Sequence, residues 1–284
     1  MFQLNKIFIG LIITASCSTT FAKQRLAFQW SDINTRDVLR WDGDTAVVRQ
    51  GSSTLELSCK IKINEQDVQR AIDSFGIPNQ WTSISYHDEN ELLQKQRNLK
   101  DKASKNGIKM MQDGNRFIVD YSWVVSNSVQ DVRDVARAIR SEARREGYRS
   151  TRELVGAFAS FAQSLPYRIP PDSRINDDGE KILTAGAMMP LDTLTKQWGD
   201  CDSKSMLFAA LVQSINLVDV CFITMNEHLF AAVKLAPNRD DHAIRYKGRN
   251  WVLIELTDAW PLGRIPADHL DGIDSGNYSV VELN

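Results

Sequence analysis

The hydrophobic and polar positions of the first third of the chain alternate between strand-like and helix-like patterns. Three short runs rich in β-branched and aromatic residues are separated by turn sequences of Gly, Asp and Ser, and they predict strands over residues 26–30, 45–49 and 55–63. Apolar residues at helical spacing predict a helix over residues 65–75. The highly charged stretch over residues 88–106 predicts a second, solvent-exposed helix.

The middle of the chain is predicted to be mainly helical. The predicted segments are a hairpin with strands over residues 108–111 and 116–125, and helices over residues 128–146 and 151–165. Ser128 is a capping type of residue and is placed at the start of the first helix. A loop rich in Pro, Gly and Asp then continues to about Lys196. Long loops inside compact domains are often functional, and this loop leads directly towards Cys201.

The last third of the chain is predicted to pack one helix against an antiparallel meander. Apolar residues at spacings of three and four predict a helix that begins near Cys201, and Asn216 lies where a helix end favours a residue tolerant of the left-handed conformation. Strand-like runs follow over residues 217–225, 228–235 and 250–257. A helix followed by antiparallel strands places the chain in the α+β class.

Cys201 is predicted to lie in the first turn of that helix. A Gly199-Asp200 turn precedes the cysteine, and Asp200 is a suitable N-cap residue. The N-terminus of a helix has unpaired N–H groups and the positive end of the helix dipole, so it favours the thiolate form of a cysteine. The alternative is that Cys201 is a buried, inert residue, as most isolated cysteines are.

Composition and charge indicate an ordinary globular protein. The chain has 284 residues, of which 43% are hydrophobic and 25% are charged, and this is enough material for one large domain or two smaller ones. The formal net charge of −2 gives no reason to expect a nucleic acid or an anionic membrane as a partner.

The N-terminus has the order of features found in a secretory signal peptide. Lys6 precedes a short apolar run, and small residues follow up to Ala22, after which cleavage is expected. A retained membrane anchor, including lipid attachment at Cys17, is the alternative. No later run approaches the roughly 20 apolar residues of a spanning helix, so no stable membrane insertion is expected after cleavage. The mature protein is therefore expected to be exported, either to the periplasm or out of the cell.

Three cysteines remain after removal of the predicted signal peptide. Cys59 and Cys221 both lie in predicted strands, and Cys201 begins a helix. If Cys201 is the reactive thiol, Cys59 and Cys221 are left to form a disulfide bond. The sequence does not show whether the fold brings these two residues close enough. Two separate buried thiols and one disulfide bond both remain open.

A nucleophilic cysteine needs a base and a group that orients the base. His228 opens a predicted strand, and a strand end beside the helix N-terminus is a suitable place for an imidazole. His242 and His269 lie in polar segments and are expected to be surface residues. Glu255 lies within an apolar strand and needs a partner, since burying an unpaired carboxylate is costly. Asp258, just beyond this strand, is the rival for the orienting role.

These residues lie in motifs that resemble those of the transglutaminase-like superfamily, a papain-related group with a Cys-His-Asp triad. Gly199-Asp200-Cys201 is similar to the nucleophile turn of the family, and His228 opens a run similar to its histidine-bearing strand. The segment from Trp251 to Thr257 is similar to the third motif, with Glu255 where the family usually has Asp. The resemblance covers about residues 150–262.

The resemblance implies acyl transfer by Cys201, His228 and Glu255 on a protein or peptide substrate. His228 either takes the proton of Cys201 or holds a preformed thiolate–imidazolium pair, and the backbone N–H of Cys201 stabilises the oxyanion. The implied activity is that of an exported cysteine peptidase or amidase, or of a transglutaminase. A catalytically inactive binding or scaffold protein of the cell envelope is the alternative. The sequence leaves the substrate and the oligomeric state open.

No cofactor is expected, although some bacterial proteinases that the chain resembles use carboxylates beside the cysteine to hold calcium. Asp200 and Asp202 flank Cys201, but two acids fall short of the roughly six to eight oxygens of a calcium site, so capping is the favoured role of Asp200. The expected organisation is a signal peptide over residues 1–22, a smaller α+β region over residues 23–126, and a transglutaminase-like domain with a papain-like core over residues 127–284.

Overall fold

The computed structural model describes residues 23–34, 38–42, 45–48, 55–111, 116–225 and 228–283. The predicted signal peptide, with Cys17, and the predicted turn at residues 113–115 lie outside these residues. No helix within the described part of the chain is long and apolar enough to cross a membrane.

A long two-stranded ribbon forms the N-terminal part of the fold. Strand β1 (Lys23–Asp32) pairs along its whole length with the antiparallel strand β4 (Leu55–Asn64). Strands β2 (Val38–Asp42) and β3 (Thr45–Val48) form a separate hairpin between them. The predictions for β1, β3 and β4 are confirmed, whereas β2 was not predicted.

The next segment carries the two predicted helices and a short hairpin. Its elements are α1 (Glu65–Ser74), β5 (Ile77–Pro78), a 3₁₀ turn (Asn79–Thr82), α2 (Glu89–Ser104), β6 (Ile108–Met110) and β7 (Phe117–Val119). Asn64 and Asp88 cap α1 and α2 through their side chains. The hairpin prediction is wrong at its far end, because the Asp120 side chain accepts from the Trp123 N–H and starts helix α3 (Tyr121–Ser128).

The helix predicted over residues 128–146 begins later than expected. The Ser128 hydroxyl donates to the Val124 carbonyl, so Ser128 ends α3 instead of capping the next helix. That helix, α4 (Arg133–Arg145), begins without a side-chain cap. Helix α5 (Thr151–Ser164) is confirmed as predicted, and Ser150 and Glu153 form a capping box at its start.

The predicted loop between residue 165 and Lys196 contains regular structure. Strands β8 (Ser173–Ile175) and β9 (Lys181–Leu183) pair with each other, and β9 also pairs with β5, which is distant in the sequence. Helix α6 (Pro190–Lys196) begins with proline, which suits the first position of a helix. The loop prediction is therefore wrong here, because very short strands acquire their structure from tertiary pairing.

A long helix, a short helix and a five-stranded antiparallel sheet form the C-terminal part. The elements are α7 (Cys201–Ser214), β10 (Val220–Met225), β11 (His228–Val233), β12 (Ala243–Tyr246), β13 (Arg249–Ile254), α8 (Leu270–Asp274) and β14 (Ser279–Glu282). The strand order is β12-β13-β11-β10-β14. Asn216 follows α7 with φ +49°, as its predicted left-handed position requires. β12, α8 and β14 were not predicted.

Helix α7 lies at the centre of the hydrophobic core. Ten consecutive residues of this helix, Ser203–Val212, are buried, and α7 packs against α5, α6, β10 and β11. The core cluster that contains α7 extends without interruption to Phe28 and Trp30 on β1. A smaller cluster covers the opposite face of the sheet, around Phe230 and Leu253. The fold is therefore α+β, with one helix buried against an antiparallel sheet.

Candidate functional site

The turn before α7 is fixed by close backbone contacts. Asp200 is the N-cap, since its Oδ1 accepts from the Ser203 N–H at 2.9 Å. Gly199 lies beside the segment after α5, where its N–H donates to the Pro166 carbonyl at 3.2 Å. A Cβ at Gly199 would lie 3.1 Å from Ser203 Cβ and 3.2 Å from Thr193 Cγ2, so any larger residue would require these neighbours to move slightly. The turn therefore holds Cys201 at the start of the helix, as the sequence predicts.

The Cys201 thiol contacts the start of β11 and a neighbouring carboxylate. Its sulfur accepts a hydrogen bond from the backbone of Leu229, the residue after His228, and lies 3.6 Å from Asp202 Oδ1. The other oxygen of Asp202 accepts from the Tyr121 hydroxyl at 3.0 Å. The helix thus brings the thiol to the strand end that carries His228.

Burial keeps this thiol protonated. Loss of solvent raises the pKa of Cys201 to about 12, and the charges of Asp202 and Asp200 act in the same direction. The expectation that the helix N-terminus stabilises a thiolate is therefore wrong for the structure as it stands. Burial and two adjacent carboxylates outweigh the helix dipole, whose effect on a charge is about 0.3–1 kcal/mol.

His228 and Glu255 form a close pair on neighbouring strands. Ala231 on β11 is opposite Ile254, the last residue of β13, so Glu255 follows the strand at the level of Phe230. From there Glu255 Oε2 reaches His228 Nε2 at 2.8 Å. The Thr257 N–H and hydroxyl both donate to the other carboxylate oxygen, each at 2.6 Å.

The environment of Glu255 keeps its carboxylate charged although its side chain is only 1% exposed. Burial alone works to raise the pKa of Glu255. The hydrogen bond and charge of His228, followed by the hydrogen bonds from Thr257, outweigh burial and hold the pKa below its usual value. A buried carboxylate with both oxygens bound is a rigid partner for an imidazole.

Asp258 does not take the orienting position. Its Oδ1 accepts from the Ala259 N–H at 2.7 Å, and its side chain is exposed. Asp258 and His228 both line a cleft of about 500 Å³, whose opposite wall is formed by the segment from Gln163 to Tyr167. Of the two carboxylates that the sequence offers, the one that contacts His228 is therefore Glu255.

Two aromatic rings pack against the His228 imidazole. His269 stacks on it with ring centroids 4.7 Å apart and planes 10° apart. Phe230 packs edge-on against it at 4.4 Å. The expectation that His269 is an ordinary surface residue is wrong, because its ring packs against both His228 and Phe230.

The carboxylates at the start of α7 do not fit a calcium site. Asp200 is occupied as the helix cap, and Asp202 is bound by Tyr121 and lies against the thiol. Among the described residues, no group of three or more His, Cys, Asp or Glu side chains is arranged to hold a metal ion. The donor set is thus far smaller than calcium requires.

The other two described cysteines are separate buried thiols. Cys59 lies on β4 and Cys221 on β10, and both are free. Burial raises the pKa of Cys59 to about 11 and that of Cys221 to about 12. A larger cavity of about 840 Å³ is lined in part by Cys221, but it contains none of the candidate catalytic residues.

No family model matches the chain, and no curated protein matches it in sequence.

Proposed function

We propose that this protein is an exported cysteine peptidase or amidase of transglutaminase-like type, which acts by thiol acyl transfer on a peptide or amide substrate. The observation that carries the proposal is the His228–Glu255 pair, with Nε2 and Oε2 2.8 Å apart, at the strand end where the thiol of Cys201 bonds the next backbone N–H. A base with a buried orienting carboxylate beside a thiol is the arrangement that nucleophilic catalysis requires.

The Glu255 contact fixes which nitrogen of His228 serves as the base. An ionised carboxylate only accepts hydrogen bonds, so the neutral imidazole carries its proton on Nε2 and leaves Nδ1 unprotonated. Because the pKa of the thiol is raised to about 12, Cys201 is neutral before reaction. Of the two forms considered above, proton transfer during attack is thus favoured over a preformed ion pair.

The reaction then follows from these protonation states. The sulfur of Cys201 bonds to the carbonyl carbon of the substrate as its proton passes to Nδ1 of His228. The resulting oxyanion lies near the backbone N–H of Cys201, which as the first residue of α7 has no acceptor within its own helix. His228 returns the proton to the leaving amine, and water or a second amine releases the acyl group.

The assignment to the transglutaminase-like group and the location of the protein are parts of the same proposal. Support comes from the order of the three motifs and from a nucleophile helix buried against an antiparallel sheet. Export rests on the signal-like residues 1–22. Glu255 extends one methylene further than Asp, and it reaches His228 from a position just beyond the end of β13.

Turnover by the wild-type protein tests the proposal. The protein is incubated with a mixed peptide library and with a protein substrate, each with and without a labelled primary amine, and the products are analysed by mass spectrometry. We expect cleavage or deamidation that is lost in Cys201→Ala and His228→Ala. Incorporation of the amine would identify transglutaminase activity instead of hydrolysis. Equal product from wild type and Cys201→Ala, or none from either, would favour the non-catalytic scaffold.

A further inference from the structure

Lys204 is a completely buried lysine within the helix of the nucleophile. Its side chain has no solvent exposure, and it lies one helical turn after Cys201. The ammonium group donates to three backbone carbonyls: Leu165 at 2.9 Å, Thr257 at 3.1 Å and Gln163 at 3.3 Å. All three donors of the ammonium are thus used, which is what makes its burial tolerable.

These three carbonyls belong to the two walls of the candidate cleft. Gln163 and Leu165 lie at the end of α5 and line the cleft on one side, and Thr257 lines it on the other. Thr257 is also the residue that binds Glu255 Oε1 through its N–H and its hydroxyl. Lys204 therefore connects the helix that carries the thiol directly to the residue that holds the carboxylate.

The side chain of Gln163 completes this connection. Its Nε2 donates to the carbonyl of Glu255 at 2.7 Å and to that of Trp260 at 2.6 Å. Residues 255–260 follow β13 and have no strand pairing among the described residues. The hydrogen bonds from Gln163 and Lys204 bind this segment instead. Lys204 and Gln163 therefore help to hold this segment against α7, together with the buried side chain of Leu256.

A lysine is a costly means of filling this space. Burial lowers the pKa of Lys204 to about 8, against the opposing effect of the carboxylates of Glu255 and Asp258. Apolar residues of similar volume often replace buried charges with little loss of stability, so packing alone does not require an ammonium here. The ammonium does what an apolar side chain is unable to do, because its three donors bind three convergent carbonyls at once.

We propose that Lys204, assisted by Gln163, is a positioning residue that sets the location of Glu255, and through it the orientation of His228, relative to the thiol of Cys201. The inference rests on the proposed function for its catalytic consequence. The orientation of the His228 imidazole can be measured without turnover.

The test compares wild type, Lys204→Met and Tyr148→Phe. The control removes a buried hydroxyl that donates to the fully buried Asp32, and neither residue lines the cleft, so it weakens the fold without removing a contact made by Lys204 or Gln163. For Lys204→Met we expect kcat to fall about 10- to 100-fold with KM unchanged, because misplaced catalytic groups slow the reaction more than they weaken binding. Tyr148→Phe is expected to keep the wild-type kcat.

Nitrogen NMR of the imidazoles provides the readout that is independent of activity. Wild type and Tyr148→Phe are expected to show His228 fixed as the Nε2–H tautomer, and Lys204→Met is expected to show averaging between tautomers. A wild-type tautomer signature in folded Lys204→Met would overturn the inference. If Lys204→Met does not fold, Gln163→Leu decides by the same measurement. If wild type shows no turnover, the proposed function fails, while the NMR comparison still decides the role of Lys204.

Discussion

At the scale of single residues, the proposed reaction depends on His228 because Cys201 is a neutral thiol. The pKa of Cys201 lies near 12, and burial is the largest cause. A thiol of this kind attacks only if a base removes its proton, so the orientation and basicity of the imidazole control the rate. Each contact to His228 and each charge near Cys201 is therefore expected to have a measurable effect.

Glu255 and Asp258 provide a matched pair of substitutions. Glu255→Gln keeps the size of the side chain but offers an amide to His228 Nε2, which no longer selects the same tautomer. We expect kcat to fall by about 10²- to 10⁴-fold. Asp258→Asn keeps the oxygen that accepts from Ala259, and kcat is expected to change by less than about threefold. Steady-state kinetics on both variants checks this, and equal losses would contradict the assignment of Glu255.

Asp202→Asn tests the electrostatic control of the thiol. The charge of Asp202 raises the pKa of Cys201, so its removal is expected to lower that pKa and to increase the fraction of thiolate. The rate of alkylation by iodoacetamide at pH 8 should therefore rise relative to wild type. Asp219→Asn, at an exposed residue paired with Lys234, is the control and should leave the rate unchanged. A slower reaction in Asp202→Asn would contradict the prediction.

The same carboxylate makes stability depend on pH. Burial raises the pKa of Asp202 from 3.8 to about 6, so the folded state binds this proton more tightly than the unfolded state does. The resulting destabilisation, about 1–3 kcal/mol, is absent below pH 4 and is complete above pH 6. Asp202→Asn is expected to raise Tm at pH 8, and this gain should disappear at pH 4. Thermal unfolding at both pH values measures the difference, and a constant gain would contradict this origin.

The sequence predicts only part of this site, and the reason is the distance between its residues along the chain. Cys201, His228 and Glu255 each had a local signal: a helix start, a strand start, and a charge within an apolar run. Tyr121 and His269 had none, because the first residue of α3 and a histidine in the 3₁₀ turn Ala267–His269 reach the site only through tertiary packing.

At the scale of elements, the start of α7 determines where the thiol lies. Asp200 caps the helix with its side chain, and the adjacent Gly199 permits the close approach of Ser203 and Thr193. These features were predictable because a cap and a tight turn depend on residues adjacent in the sequence. The start of α4 was not predictable, because Val132 at its N-cap has no capping side chain and Ser128 bonds backwards within α3.

Two substitutions of Asp200 distinguish the capping hydrogen bond from the effect of the carboxylate charge at the start of α7. Asp200→Ala removes the bond to the Ser203 N–H, and we expect the free energy of unfolding to fall by about 1 kcal/mol. Asp200→Asn retains an oxygen for that bond, so no comparable loss of stability is expected. Urea denaturation of both variants measures the two values. If Asn costs as much as Ala, the stabilisation comes from the charge of Asp200 and not from the cap.

At the scale of the whole molecule, the N-terminal ribbon is part of the core that holds the site. Phe28 and Trp30 on β1 both pack edge-on against Phe161 on α5, with ring centroids 5.1 Å apart in each pair. Helix α5 continues to the wall of the cleft, so β1 supports the helix on which that wall depends.

Trp30→Ala is therefore expected to destabilise the whole protein. The Trp30 side chain is 2% exposed, and its truncation should reduce the free energy of unfolding by about 3–5 kcal/mol. Ile175→Ala, at a residue that is 66% exposed, is the control and should change it by less than about 0.5 kcal/mol. Because the core is continuous from β1 to the sheet, probes in both parts should report one transition in Trp30→Ala. Limited proteolysis that leaves a folded fragment of residues 127–284 would instead show that the region bearing the site is stable without the ribbon.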